Sequence, residues 1–339
     1  METKIFQPDQ VEAAAELLKQ GQLVAFPTET VYGLGADATN EHAASDVYAA
    51  KGRPSDNPLI VTVSSVEMVE QYAQPLSQPV KQLMAHFWPG SLTIVLPLRS
   101  GTLSKTVTGG LDTAAFRMPA NQTTLKLIAA AGIPIVGPSA NTSGKPSPTL
   151  ASHVFHDLNG KIAGIVDDGP TQVGVESTII DMSTDMPTIL RPGAVTVPQL
   201  EAVIGDVRAD HHHVGANETP KAPGMKYKHY APSAQVEIVD QPADFESAMK
   251  WAAQQAEAVG VMATDDILTQ LDLPDNVEAF SLGTGLESAT HLLFAGLRHF
   301  DVESEVKHIF TEGFASDGLG AAYMNRLDKS AGGMHFTNK

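Results

Sequence analysis

The chain has 339 residues, 42% apolar and 18% charged, with no cysteine and a formal net charge of −17. Absence of cysteine removes disulfides, thiolate zinc sites and cysteine nucleophiles together, and leaves the cytosol as the simplest compartment. The acidic excess repels nucleic acid overall, while the length favours two domains, each with its own core. No basic flank and apolar core follow Met1, and the longest nearly apolar stretch, 127–137, is short and contains Pro134, so no membrane insertion is expected.

In chain order, the first amphipathic pattern covers 9–20, with Val11, Ala14, Leu17 and Leu18 on one face, Pro8 at its start and Gly21 as its stop. Strand signals follow at 22–26 and 58–63. Between them runs FPTETVYGLGADATN, which has more polar and turn-forming chemistry than folding requires and reads as a substrate loop. A helix is expected over 41–50, ended by Gly52 and Pro54, which leaves Lys51 and Arg53 in a helix-ending loop. Helical patterns at 66–72 and 80–87 lead through Trp88-Pro89-Gly90 to a strand at 91–96. An extended piece ending at Arg117, a helix at 123–131 and a buried strand at 133–136 come next. The Gly/Ser/Asn loop 137–147 then precedes short strands at 164–167, 177–181 and 188–193. This irregular mixture predicts an α/β domain over 1–208, built on a twisted, mixed sheet with flanking helices.

A shift to Gly, Asn, Pro and Lys marks 209–232 as a linker. Beyond it, strands at 235–239, 260–263, 277–281 and 307–310 alternate with helices at 244–258, 286–300 and 319–328. That alternation predicts a small Rossmann-like parallel α/β domain over 233–339.

Gly33 to Ala38 has the G-x-G-x-x-A form, but Pro27 to Tyr32 separate it from the preceding strand, so no dinucleotide site is expected. Gly283-Thr284-Gly285 reads as a strand-to-helix turn. Gly137 to Lys145 places six residues, not four, before Gly-Lys and is not a Walker A loop. Taken alone it reads as an Asn/Ser turn with no ligand; its backbone N–H groups and hydroxyls still suit a phosphate, with Lys145 supplying charge, a reading strengthened by two arginines. Arg117 and Arg191, both at strand ends near a proline, suit bidentate recognition of phosphate or carboxylate. Glu29, Asp167 and Asp168 are either acid/base or magnesium-binding groups or solvated turn carboxylates. His211 to His213 are either a metal site or solvated histidines. Lys226, Tyr227, Lys228, His229 and Tyr230 interleave cations with aromatics, a mix that stacks on bases and reaches phosphates, or simply makes a sticky linker.

Nine stretches in order carry a resemblance: PTETVYGLG at 27–35, KGRPSDNPL at 51–59, WPGSLT at 88–93, RMP at 117–119, PSANTSGKPSPT at 138–149, VESTIID at 175–181, LRPG at 190–193, APGMKYKHYAP at 222–232 and GLGAAYMNRLDKSA at 318–331. Together they resemble the threonylcarbamoyl-AMP synthase family in its two-domain form, a YrdC-like catalytic domain followed by a smaller C-terminal domain. The resemblance implies a nucleotidyltransferase that makes threonylcarbamoyl-adenylate and pyrophosphate from L-threonine, bicarbonate or carbon dioxide, and ATP, for modification of tRNA beside the anticodon. It implies that Thr30, Thr62, Arg117 and Ser177 hold L-threonine, although Thr62 stands where many members carry histidine. Arg53, Asn57, Thr113, Ser139, Asn141, Ser147, Arg191 and Tyr230 are implied to hold ATP, with Lys51 and Arg53 as the catalytic charges near the phosphates. Magnesium is implied with ATP, its ligands unassigned, and the linker is expected to cross the mouth of the site. A downstream tRNA threonylcarbamoyl transferase is the implied partner, and a weak tRNA contact is left open. The rival is an RNA-binding factor with a basic concave face. Hydrogenase-maturation relatives, which carry zinc-finger modules, are a poor match for a chain without cysteine.

Overall fold

The computed structural model describes residues 2–209, 220–221 and 230–337. The expectations for His211 to His213 and for Lys226 to His229 lie outside the described residues. The chain divides into two compact units: residues 2–143, 148–209 and 220–221 form the first, and 144–147 with 230–337 form the second.

The first unit begins with β1 (Lys4–Phe6), α1 (Val11–Lys19), β2 (Val24–Phe26), β3 (Gly33–Asp37) and α2 (Glu41–Lys51). It continues through β4 (Ile60–Thr62), α3 (Val66–Glu70), α4 (Gln78–Phe87), β5 (Leu92–Pro97), α5 (Lys105–Thr108) and β6 (Thr113–Arg117). Then come α6 (Gln122–Ala131), β7 (Ile135–Val136), α7 (Ala151–Leu158), β8 (Gly164–Val166), β9 (Thr178–Asp181), β10 (Thr188–Arg191), α8 (Val197–Ile204) and β11 (Arg208–Ala209). Among the described residues these strands join in one mixed sheet, ordered β1-β8-β2-β3-β7-β4-β6-β5-β9-β10-β11.

Helices α1 and α6 cover one half of one face, burying Leu18, Leu127 and Ile128 against Phe26, Val24 and Ile135. Full burial of each such side chain stabilises by about 1.5–3 kcal/mol. The other face carries the larger core, with α2, α4, α7 and α8 supplying Val47, Leu83, Val154 and Leu200. The remaining half of the first face, over β4, β6, β5 and β9, holds a small apolar cluster of strand residues alone: Ile60, Val95, Ala115 and Ile179, with Leu190 beside it. This is the floor of the candidate site.

Strand β3 replaces the loop expected at Gly33–Gly35. It pairs antiparallel with β2, and the Phe26 ring lies so close that a Cβ on Gly33 would sit 2.5 Å from Phe26 Cζ. A Cβ on Gly137, which follows β7, would sit 2.9 Å from the same ring and 2.5 Å from Thr62 Oγ1. Only glycine lets these backbones close over the ring. Helix α2 has the expected ends: the Asn40 side chain accepts from the His42 and Ala43 amides, and Gly52 takes the left-handed conformation at φ 62°.

The second unit contains β12 (Gln235–Val239), α9 (Phe245–Ala252), β13 (Val259–Ala263), α10 (Asp265–Leu268), β14 (Val277–Ser281), α11 (Leu286–Val302), β15 (His308–Glu312) and α12 (Gly318–Ala331). Its four described strands are all parallel, ordered β12-β15-β13-β14. Helix α9 packs Phe245, Ala248 and Met249 against Phe310 on one face. On the other, the Phe300 ring of α11 lies over Gly260 and the Met262 methyl meets Gly296. Helix α9 stops six residues short of the expected end at 258. The Asn276 amide explains the stop: it donates to the carbonyls of Ala252, Gln255 and Glu257 at 2.9–3.2 Å, taking acceptors that a longer helix would use.

Candidate active site

Arg117 ends β6 and is the centre of the first unit's polar cluster. Strand register sets its neighbours: Thr62 of β4 and Thr93 of β5 lie directly opposite it on either side. Ile179 of β9 lies opposite Thr93, and Arg191 of β10 opposite Ile179 after a bulge. One row therefore runs Thr62, Arg117, Thr93, Ile179, Arg191 across five strands. Residues paired this way share a face of the sheet.

The 8% exposed Arg117 guanidinium is held in place on two sides. Nη2 donates to Glu29 Oε1 at 2.7 Å and Nη1 to Thr30 Oγ1 at 2.8 Å. Glu29 also accepts from Ser91 Oγ at 2.9 Å and from the Ala120 amide at 3.0 Å. Burial pushes the Glu29 carboxyl up, but the Arg117 charge and the Arg117 and Ser91 hydrogen bonds outweigh it and hold the group below its usual 4.5. Thr28 Oγ1 caps the turn by accepting from the Thr30 and Val31 amides, and donates to Val31 O at 2.6 Å. A cavity of about 20 Å³ opens here, lined by Thr28, Val31, Thr62, Arg117, Pro119 and Gly137 among others.

Ser177 lies next to this row. Its Oγ is 2.7 Å from Thr93 Oγ1, and its carbonyl accepts from Arg191 Nη2 at 2.9 Å and Nε at 3.2 Å. Four of the residues expected around L-threonine and one expected around ATP thus share a continuous patch: Thr30, Thr62, Arg117, Ser177 and Arg191. Thr113, at the far end of β6, is half-buried opposite Pro97.

Lys51, 2% exposed, is the last residue of α2 and points into the loop after β7. Its ammonium bonds Ser139 O, Asn141 O at 2.6 Å and Asn141 Oδ1 at 3.5 Å, and its own carbonyl accepts from the Ser143 amide at 2.8 Å. It thereby shapes the loop that presents Ser139 and Asn141. Arg53 Nη2 donates to Asn57 O and Pro58 O at 3.4 and 3.3 Å. Asn57 is 1% exposed, and its Oδ1 has no hydrogen-bond partner among the described residues. An orphaned buried acceptor costs about 1–3 kcal/mol unless a ligand donates to it.

Ser147 and Tyr230 belong to the second unit. Ser147 is fully buried, and the Tyr230 ring, 2% exposed, packs 5.1 Å from Phe294. Lys145, expected to bring charge to a phosphate, is paired with Asp301 at 2.9 Å. Asp167 and Asp168 are engaged in a turn, where Asp167 accepts from the Gly169 amide and Asp168 from Asn121 Nδ2. Among the described residues no three or more His, Asp and Glu side chains gather as a metal-binding group, and no helix is long and apolar enough to cross a membrane.

Sequence reasoning missed Thr93, which bonds Ser177, and Ser91, which bonds Glu29. The only sequence signal for them is their place in the strand after Trp88-Pro89-Gly90, alternating with the apolar Leu92 and Ile94.

The family described as Telomere recombination matches residues 16–193, and the one described as Threonylcarbamoyl-AMP synthase, C-terminal domain, matches 195–332. The Threonylcarbamoyl-AMP synthase of Bacillus subtilis is 48% identical over 325 residues, covering 96% of this chain and 93% of its own. That of Pyrococcus abyssi is 46% identical over 328 residues, covering 95% and 94%. A crystal structure of P. abyssi Sua5 complexed with L-threonine superposes with a TM-score of 0.91 at 42% identity, over 99% of this chain and 100% of that one. With a mixed-sheet unit, a parallel-sheet unit and both families matched in order, the chain belongs to the two-domain threonylcarbamoyl-AMP synthase family.

Proposed function

We propose that the chain condenses L-threonine, bicarbonate or carbon dioxide, and ATP into threonylcarbamoyl-adenylate and pyrophosphate. The observation that carries this reading is Arg117, fixed between Glu29 and Thr30 beside Thr62 and Ser177, in a chain similar over nearly its whole length to a structure holding L-threonine. A guanidinium oriented in advance, with two parallel N–H directions, suits an amino-acid carboxylate.

In the proposed reaction the threonine amine adds to carbon dioxide, losing a proton and forming a carbamate. A carbamate oxygen then attacks the α-phosphorus of ATP, a P–O bond forms, and the bond to the β-phosphate oxygen breaks to release pyrophosphate. Both reactants are anions, so the barrier falls chiefly by positioning and charge neutralisation. Arg191 and Arg53 are assigned to the phosphates. Ser139, Asn141, Ser147, Thr113 and Tyr230 are assigned to the remainder of ATP, and the Asn57 carbonyl is assigned to a donor group of the nucleotide. Lys51 acts through the loop it holds. Magnesium enters with the triphosphate, which suits a cation that keeps several waters and needs few protein ligands.

The product is a reactive mixed anhydride, consumed by a downstream transferase that modifies tRNA, with the reaction placed in the cytosol, where ATP and tRNA meet. The test is pyrophosphate release from ATP with magnesium and bicarbonate, in the presence of L-threonine, of L-serine, or of neither. Threonine-dependent release is expected; release indifferent to threonine, or none, would overturn the assignment.

A further inference from the structure

The loop after β7 changes units partway along: residues up to Ser143 belong to the first and 144–147 to the second. Every one of Gly144, Lys145 and Pro146 is held there by a different bond. Gly144 O accepts from the Ala231 amide at 2.9 Å. Lys145 Nζ donates to Ser233 Oγ at 2.7 Å and to Asp301 Oδ1 at 2.9 Å. Pro146 O accepts from Arg298 Nη2. Two of these second-unit side chains lie on one stripe of α11: Arg298 and Asp301, with Phe294 before them, are spaced i, i+4, i+7 and so share a face. Phe294 packs on Tyr230, whose backbone at φ 68° turns the chain into 231–233.

This stripe is expensive for folding alone. Arg298 is 1% exposed and the Asp301 side chain 3% exposed. Burying charged groups is often no more stabilising than packing apolar ones of the same size, so such an arrangement is better suited to fixing a geometry than to adding stability. Burial would push the Asp301 carboxyl up, yet the Lys145 and Ser233 bonds bring it below its usual range. The geometry they fix is that of 144–146, which leads directly into Ser147, a buried residue assigned to ATP.

We propose that Arg298 and Asp301 are positioning residues for ATP: by gripping Gly144–Pro146 they set the placement of Ser147. This inference rests on the nucleotide assignment above.

The experiment uses the full chain. ATP affinity is read by calorimetry, which needs no turnover, with KM for ATP, kcat, L-threonine affinity and thermal midpoint measured beside it. Variants are Lys145→Ala, whose amine is partly exposed and which should fold, Asp301→Asn, Arg298→Ala and Arg298→Lys. Loss of a buried charge-assisted bond predicts about tenfold weaker ATP binding and higher KM in Asp301→Asn and Arg298→Ala. Lys145→Ala should show about threefold, from a single partly exposed contact. Threonine affinity should stay within about twofold throughout, and Arg298→Lys, which restores one donor to Pro146 O, should recover part of the loss. Unchanged ATP affinity in folded variants would overturn the proposal, as would equal weakening of ATP and threonine. A wild-type chain that binds no ATP would overturn it together with the assignment it rests on. A wild-type chain that binds ATP without threonine-dependent pyrophosphate release overturns only the reaction, and the ATP affinities still decide the role of α11.

Discussion

Glu29 of the first unit, at 7% exposure, and Glu312 of the second, at 8%, are buried to nearly the same depth, and their pKa values shift in opposite directions. Glu29 faces the Arg117 guanidinium and is held below 4.5 despite burial. Glu312, at the end of β15, is raised by burial and by the nearby Asp266, with the Thr264 amide at 2.7 Å as its main support. Burial alone therefore does not decide the charge of an acid; the partner does. The first unit keeps an ionised pair where an anionic substrate is proposed to bind. The second leaves its acid with a backbone donor at a strand end, where nothing in the proposed chemistry uses it.

Breaking the first arrangement should have the largest effect. Arg117→Met strands an ionised Glu29 in the interior, and removing one partner of a buried pair costs about 3–5 kcal/mol. Urea unfolding should show that loss, and threonine-dependent pyrophosphate release should fall to background. Glu29→Gln is milder: it retains an acceptor for Arg117, so stability should fall by about 2–3 kcal/mol with KM for L-threonine raised. Glu312→Gln should be the smallest, within about 1 kcal/mol of wild type and with unaltered turnover, because glutamine still accepts from the Thr264 amide.

Acid titration sharpens the contrast. The folded state lowers the Glu29 pKa, so its contribution is complete above 4.5 and disappears as pH falls through the lowered folded value. The folded state raises the Glu312 pKa, so its contribution is fully present below 4.5 and is lost as pH rises through the raised folded value. Stability curves against pH should therefore show wild type losing its advantage over Glu29→Gln on acidification, and Glu312→Gln gaining on wild type as pH rises. Parallel curves for either variant would contradict the assigned shift.

Elements with strong local punctuation were legible in the sequence. Helix α2 has an asparagine cap and a left-handed glycine, and the second unit's strands and helices alternate with clear periodicity. Strand β3 was not legible, because Gly-Leu-Gly-Ala-Asp has no β-branched residue; its conformation is imposed by the Phe26 ring, a neighbour across the sheet. Helix α7 follows a proline-rich loop and has no side-chain cap hydrogen bond to announce it. Helix α8 does have a Thr196–Gln199 capping box, a signal overlooked beside the proline. In the site, Arg117 and Arg191 stood out by residue type. The grip of Lys51 on carbonyl groups and the bond of Thr93 to Ser177 did not, since backbone acceptors and long-range hydroxyl pairs leave no trace in spacing. Glu29 was visible as a carboxylate, but only the fold reveals that its partner is an arginine 88 positions away.

The row Thr62, Arg117, Thr93, Ile179, Arg191 has one more consequence. Neighbouring strands lie about 4.8 Å apart, so four spacings make a graduated bar of about 19 Å lying across the strands. Distance along that bar is fixed by main-chain hydrogen bonds and cannot be tuned by choosing a different rotamer. Inserting a single residue into β5 or β6 would turn its share of the marks toward the opposite face. The separation between the amino-acid end and the Arg191 end is thus a property of the sheet's lattice, inherited intact by any sequence that keeps the strands in step.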